Sequence, residues 1–232
     1  LIIMSNIIFI HIALLSGWYE RITSYLLLIK SSGLLEKVSI INLCFVGDSN
    51  ILDIKCDEDI LQKIRIHNVS KNLKTFEVFT QKMLYDYCCN NKDCNVLYIH
   101  TKGVGNIINL CIEDWIYYML YFLIERHEDV TEYLLKYDTV GVDLRDDPTL
   151  HYSGNFWWAK SSYIASLPDP LLFKDLNNYP NPLNSERHNQ EFWICYNKDK
   201  NKHYCMWDCG INCHERHLHR YSQDKYKKNF LL

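Results

Sequence analysis

Short continuous apolar runs alternate along this chain with stretches whose apolar residues recur at helical spacing. The first run, NIIFIHIA (Asn6–Ala13), has the length of a buried strand. In the segment after it, Trp18, Ile22, Tyr25, Leu26 and Ile29 share one helical face, and Gly33 stands where a C-terminal cap is expected. VSIINLCFVGD (Val38–Asp48) reads as a second buried strand and KIRIHNVS (Lys63–Ser70) as a short third. FEVFTQKMLYDYCCN (Phe76–Asn90) is helical, and NVLYIHTKG (Asn95–Gly103) is a strand that ends in polar residues. Glu113–Tyr137 is a long helical stretch read as two helices, and DTVGVDL (Asp138–Leu144) returns to strand. Asn155–Ala159 is extended, SSYIASLP is a short helix stopped by Pro168, and residues 168–184 form a Pro/Asn-rich loop. ERHNQEFWICYNK (Glu186–Lys198) is the final helix.

Strands that alternate with helices imply an α/β domain, with a mainly parallel sheet covered by helices on both faces. Ligands of such sheets bind beyond the carboxyl ends of the strands, near a topological switch point. Attention therefore falls on His11, Asp48, His100–Gly103, Asp143 and Gly154–Trp158. No internal repeat or linker divides the chain, so residues 1–232 are expected to form a single domain.

Composition narrows the function classes. Hydrophobic residues make up 48% and charged residues 23% of the 232, which excludes wholesale disorder. The formal net charge is −3 with no long single-sign block, against an electrostatic nucleic-acid binder. The longest apolar runs, Ile7–Leu15 and Trp115–Ile124, fall short of the roughly 20 residues that span a bilayer. Residues 1–6 carry no Lys or Arg, so the first apolar run is read as a strand and not as a secretory signal. Most of the ten cysteines, such as Cys44, Cys111 and Cys195, sit in apolar runs and read as small buried hydrophobes in a reducing, cytoplasmic setting. Asn occurs 20 times and Tyr 17 times but Ala only three times, as AT-rich coding would produce, so a single Asn, Lys or Tyr carries little weight. The first methionine is Met4, where the natural start is expected.

Four groups of residues could carry chemistry. In YIHTKG (Tyr98–Gly103), Lys102 offers a point charge suited to phosphate, Gly103 permits close backbone approach, and His100 can donate or titrate; the plainer reading is a polar strand end meeting solvent. No GxxxxGK[ST] is present, so it is not a Walker loop. In GNFWWAKSSYI (Gly154–Ile164), aromatic faces suit sugar rings or bases and Asn155 supplies donor and acceptor. An extended backbone sends Trp157 and Trp158 to opposite sides, one into the core and the other to line a site; the plainer reading is that the whole segment belongs to the core. Among the acids, Asp143 follows a strand, with Asp146 and Asp147 close behind; Glu191 lies on the last helix near Glu186 and His188. Such carboxylates could deprotonate a sugar hydroxyl or hold Mg²⁺ or Mn²⁺ beside a diphosphate, whereas Asp146, Asp147 and Glu186 individually read better as solvated charges. In the C-terminal segment, Cys205, Cys209 and Cys213 are followed by His214, His217 and His219, soft ligands for zinc at a spacing unlike the usual CxxC knuckle.

FIHIALLSGWYERI, SGLL, YIHTKG, Trp115 with Met119, YDTVGVDL, HYSGNFWWAKSSYIASLP and RHNQEFWI occur in an order that resembles glycosyltransferase-like proteins related to rhamnan synthesis protein F, found in large DNA viruses and bacteria. The resemblance runs from about Asn6 to about Trp207, leaving 208–232 as a C-terminal tail. It implies a GT-A-like, Rossmann-like fold that moves a hexosyl or deoxyhexosyl group from a nucleotide-diphosphate sugar to a hydroxyl of a glycan or glycoprotein in polysaccharide synthesis. On it, His11, Ala13, His100, Thr101, Lys102 and Gly103 would bind the donor, and Asn155, Phe156, Trp157 and Trp158 would border the sugar and acceptor pocket. Asp143 or Glu191 would activate the acceptor, and Lys102 with His100 would stabilise the leaving diphosphate. His100-Thr101-Lys102 stands where many GT-A enzymes carry Asp-x-Asp, which puts divalent-metal dependence in doubt. Two alternatives remain: a GT-like domain that binds nucleotides or glycans without turnover, and an interaction module with a zinc-pinned tail. A Rossmann dehydrogenase is disfavoured because GxGxxG is absent.

Overall fold

The computed structural model describes residues 4–48, 54–105, 108–173, 185–212 and 214–227, with the side chains of 185–188 left out. Among the described residues the strands are β1 (Ser5–Ala13), β2 (Val38–Val46), β3 (Ile64–Ser70), β4 (Cys94–His100), β5 (Thr139–Gly141), β6 (Leu144–Arg145), β7 (His151–Tyr152), β8 (Trp157–Lys160) and β9 (His203–Cys205). The α-helices are α1 (Trp18–Ser31), α2 (Leu34–Lys37), α3 (Glu58–Leu61), α4 (Val78–Asn90), α5 (Leu110–Leu120), α6 (His127–Leu134), α7 (Ser161–Ile164) and α8 (Ser185–Phe192).

Seven strands form one sheet in the order β3-β2-β1-β4-β8-β5-β9, and β6 and β7 make a separate antiparallel pair. Only β8 runs against its neighbours, so six of the seven strands point the same way. Helical connections between β1, β2 and β3 account for the parallel pairing, which a tight hairpin cannot make. The chain lays β2 and β3 down on one side of β1 and then crosses to place β4 on the other. The boundary between β1 and β4 is thus a topological switch point.

Strand alternation sends the apolar runs into two cores. Ile8, Ile10 and Ile12 of β1, with Leu43, Phe45, Leu97 and Ile99, pack under α1, α5 and α6. Ile7 and Phe9, with Val96 and Tyr98, pack with Leu84 and Cys88 of α4 and with Ile164 and Trp193 on the opposite face. Full burial of each such side chain contributes about 1.5–3 kcal/mol, so strands apolar on both faces are fixed between the two helical layers. Gly33 does close α1: its φ is +80° and its N–H reaches the Lys30 carbonyl at 3.1 Å.

The expected long helical stretch divides into α5 and α6, joined by a π-helical turn at Tyr121–Glu125. The final helix is shorter than its apolar pattern, since α8 gives way to a 3₁₀ turn at Trp193–Cys195. Asp138–Leu144 keeps only three residues in the main sheet before the chain turns through Asp143, whose φ is +50°. The loop expected over 168–184 lies outside the described residues from 174 onward. The described residues after Trp207 pack against the body through three buried side chains. Arg216, Tyr221 and Tyr226 are buried, the two tyrosines within the cluster beneath α5. No helix of the described residues is long and apolar enough to cross a membrane.

Candidate functional site

A cleft of about 410 Å³ opens at the carboxyl ends of the parallel strands, over the β1/β4 boundary. β1 contributes His11 and Ala13, β2 ends there in Val46, and β4 runs out through His100, Thr101, Lys102 and Gly103. Among the described residues, Glu77, just ahead of α4, and Glu191 of α8 bring carboxylates to it. A second depression of about 480 Å³, along Leu144, Arg145, Lys200 and Asp208, lies away from the switch point, and its charges are already paired with one another.

Backbone bonds and side-chain caps build the floor. Thr101 N–H donates to the His11 carbonyl at 2.9 Å, and Ala13 N–H donates to Thr101 Oγ1 at 3.1 Å, tying the ends of β1 and β4 together. His11 Nδ1 stands 2.9 Å from Thr80 Oγ1. Burial depresses the His11 imidazole to about 4, with Glu77 opposing the shift and His100 adding to it, so the ring is neutral at neutral pH. His100 Nε2–H donates to the Gly154 carbonyl at 3.0 Å, and its ring meets the edge of Phe156 at 4.9 Å. Lys102 Nζ lies 4.0 Å from the centre of the Trp115 ring, a cation–π contact that holds the ammonium at the cleft wall. Gly103 and Gly105 take φ of +78° and +80°, which keeps the loop after β4 tight against Ile112 and Leu15.

The carboxylates are held from behind. Glu77 Oε2 accepts from Tyr98 Oη–H at 2.5 Å and from Asn155 Nδ2–H at 2.7 Å. Asn155 takes φ of +56°, and its Oδ1 accepts from the Trp157 indole N–H at 2.9 Å. Gln190 couples the two acidic elements: its Oε1 accepts from Glu77 N–H at 2.5 Å, and its carbonyl accepts from Gln81 Nε2–H at 2.8 Å. Glu191, the next residue, is thereby fixed across the cleft from the start of α4.

Seven sequence-derived candidates therefore share one cleft: His11, Ala13, His100, Thr101, Lys102, Gly103 and Glu191. Asn155 stands behind Glu77, and Phe156 is a core residue against His100 and Tyr25. The two indoles part as alternation requires, and both are buried. Trp157 is buried in one core, stacked on Tyr98 at 5.0 Å; Trp158 is buried in the other, its N–H donating to the Leu123 carbonyl at 2.8 Å. Both faces of the sheet are covered here, which leaves no open side for a stacking surface.

Asp143 is likewise removed from the cleft. It is 1% exposed, and its Oδ1 accepts from Cys209 N–H at 2.8 Å, Tyr118 Oη–H at 3.3 Å and Arg145 Nη2–H at 3.1 Å. Burial raises its carboxyl above the ordinary range, against the opposing pull of these donors. Asp146 pairs with Lys200 at the surface, and the side chains of Glu186 and His188 lie outside the described residues.

A metal ion needs several ligand atoms that converge on one point. Among the described residues the one group of three with converging ligand atoms is Asp143, Asp208 and Cys209, and Arg145 already bonds both of its carboxylates. The described residues of the cleft assemble no such group, and there Lys102 and Lys74 bring positive charge. Among the described residues the other soft ligands of the C-terminal segment join no such group. Cys205 Sγ bonds the Trp207 carbonyl, His214, His217 and His219 are exposed, and Cys213 lies outside the described residues.

Glu77 escaped the sequence reading because it stands in an apolar-looking stretch ahead of a helix. The rule that singled out the residues after β1 and β4 also covers the connection after β3, and applying it there would have found this acid. No curated protein matches the chain. A family model does, over residues 28–207, a span that takes in Glu77, the loop after β4 and Glu191 but starts beyond His11 and Ala13. The chain belongs to the family described as Domain of unknown function (DUF8361).

Proposed function

We propose that this protein is a glycosyltransferase of GT-A-like build that takes a nucleotide-diphosphate sugar and passes the sugar to a hydroxyl of a glycan or glycoprotein. One observation carries the reading: among its described lining residues, a cleft at the β1/β4 switch point combines two lysines, two glycines and two carboxylates, with Lys102 on the loop that leaves β4. Switch-point clefts of open α/β sheets suit nucleotides. Lysine suits a diphosphate, and a carboxylate suits a hydroxyl proton.

In the transfer, the bond between the anomeric carbon and the diphosphate oxygen breaks, and its electron pair leaves with the diphosphate. Lys102 stabilises that growing charge, and the fixed Trp115 ring limits its reorganisation. The acceptor oxygen bonds to the anomeric carbon and gives its proton to the Glu191 carboxylate. Asp143 takes no part, since its carboxylate is enclosed away from the cleft. A divalent cation, if one accompanies the donor, would supply further charge neutralisation at the diphosphate, beside that of Lys102.

Thermal denaturation with UDP, GDP, dTDP and CMP, and with their sugar conjugates, each with and without Mn²⁺, tests the reading. A ligand that binds only the folded state raises Tm by mass action. At least one diphosphate should do so, and Lys102→Ala should weaken its binding by about tenfold or more, the worth of a charge-assisted contact of about 1.5–3 kcal/mol. Release of nucleoside diphosphate in the presence of glycan acceptors, lost in Glu191→Gln, would establish turnover; binding without release would mark a domain that only recognises the donor. If no nucleotide or nucleotide sugar shifts Tm, the reading fails.

A further inference from the structure

The geometry points to Glu77 as the residue that recognises the saccharide itself: an anchored carboxylate that accepts hydrogen bonds from sugar hydroxyls and so selects which sugar is transferred. This rests on the glycosyltransferase reading and goes beyond it by assigning the sugar subsite.

The orientation of Glu77 follows from a chain of unambiguous donors. The Trp157 indole N–H can only donate, so the atom of Asn155 that faces it at 2.9 Å is the amide oxygen. The Asn155 NH₂ therefore points the other way, and it meets Glu77 Oε2 at 2.7 Å. Tyr98 Oη–H reaches the same oxygen at 2.5 Å, and the Tyr98 ring stacks on Trp157. Asn155 and Trp157 are each no more than 1% exposed, so the positioning residues are rigid. Main-chain bonds fix the remaining freedom, since Glu77 N–H is held by Gln190 and Asn155 N–H by the Tyr152 carbonyl at 3.0 Å. All of this grips one carboxylate oxygen. Among the described residues no donor is bonded to the other, Oε1, and Glu77 lines the cleft with His100, Lys102 and Glu191.

Ordering a long acidic side chain costs rotamer entropy, which two bonds and a buried support offset here. A pre-oriented carboxylate beside an ammonium suits a ligand with hydroxyls at one end and a diphosphate at the other. It discriminates between sugars because a hydroxyl of the wrong configuration leaves the carboxylate oxygen without its partner.

Glu77→Gln is the test. Its amide oxygen can accept from both Tyr98 and Asn155, so the support is kept, while an NH₂ replaces the acceptor that faces the cleft. Binding of UDP-glucose, UDP-N-acetylglucosamine, GDP-mannose and dTDP-rhamnose would be compared with that of UDP, GDP and dTDP by titration calorimetry in wild type and variant. The wild type should bind one sugar conjugate at least fivefold more tightly than its bare diphosphate. In the variant that margin should vanish, because only the sugar-dependent part is lost. Tyr98→Phe, which keeps the ring stack and removes one support, should reduce the margin part-way. Equal margins in wild type and variant, or no margin in the wild type, would overturn the Glu77 assignment while diphosphate binding left the broader reading standing. If the wild type bound no diphosphate, the broader reading would fall alone. Saturation-transfer NMR with free glucose, mannose, N-acetylglucosamine and rhamnose would then decide Glu77: a signal lost in Glu77→Gln supports it, and an unchanged or absent signal overturns it.

Discussion

At the scale of single residues, the cleft works by fixing polar groups from behind, and His11 shows the energetic consequence. Its ring is buried at the floor of the cleft, bonded to Thr80, and burial lowers it from 6.5 to about 4. The unfolded chain therefore binds a proton that the folded chain refuses between those two values. Stability attributable to His11 is complete above about pH 6.5 and is lost as pH falls toward 4, by up to about 3 kcal/mol if the whole displacement is realised. His151 and His203 are depressed by burial as well and steepen the same limb. Urea denaturation at pH 7 and at pH 4.5 should thus show a marked fall for wild type and a shallower one for His11→Gln. An equal fall in both would mean that the ring is solvated.

At the scale of elements, the turn between β7 and β8 sets the cleft wall, and a glycine makes it possible. Gly154 takes φ of +97°, and a methyl group built there would lie 2.6 Å from Met119 Sδ and 3.2 Å from the Trp115 indole. Its carbonyl holds His100, and Trp115 holds Lys102, so the turn and α5 together carry both of these cleft residues. Gly154→Ala should cost about 2–4 kcal/mol, from backbone strain and overpacking together. It should also loosen His100, read as a shifted imidazole resonance in NMR; a variant with wild-type Tm would refute the close packing. The alternation of strands and helices was legible because β1, β2 and β4 are apolar on both faces and α1 is not. His100, Thr101, Lys102 and Glu191 were legible because strand ends and helix faces follow from that pattern. The burial of both Trp157 and Trp158 was not, since alternation fixes opposite sides without saying whether each side is covered. Asp143 misled for a related reason: its left-handed turn swings it under Tyr118 and Cys209, and no local pattern announces that rotation.

At the scale of the whole molecule, the described part of the stretch beyond Trp207, residues 208–212 and 214–227, is packed onto the body. Its polar, histidine-rich sequence reads as an appendage, because the few residues that bind it to the body are spaced irregularly. Arg216 is 1% exposed, with its guanidinium 5.7 Å from the Trp115 ring and 5.2 Å from Tyr221; Arg220 pairs with Asp114 of α5. Tyr226 is fully enclosed among Tyr118, Tyr121, Phe122 and Tyr221. The segment thus covers the helix whose Trp115 steadies Lys102, and cleft and C-terminal stretch are mechanically one unit. Two substitutions at one position separate this view from that of a loose tail. Tyr226→Ala should leave a cavity and cost about 3–5 kcal/mol, whereas in a solvated tail it would cost less than about 0.5 kcal/mol. Tyr226→Phe should act the other way. The Tyr226 hydroxyl is buried without a hydrogen-bond partner among the described residues, so its removal should relieve about 1–3 kcal/mol of desolvation cost and raise Tm. Opposite signs for the two variants in one thermal series require a ring that is deeply packed and a hydroxyl that is poorly served, and no exposed segment would produce that pair of results.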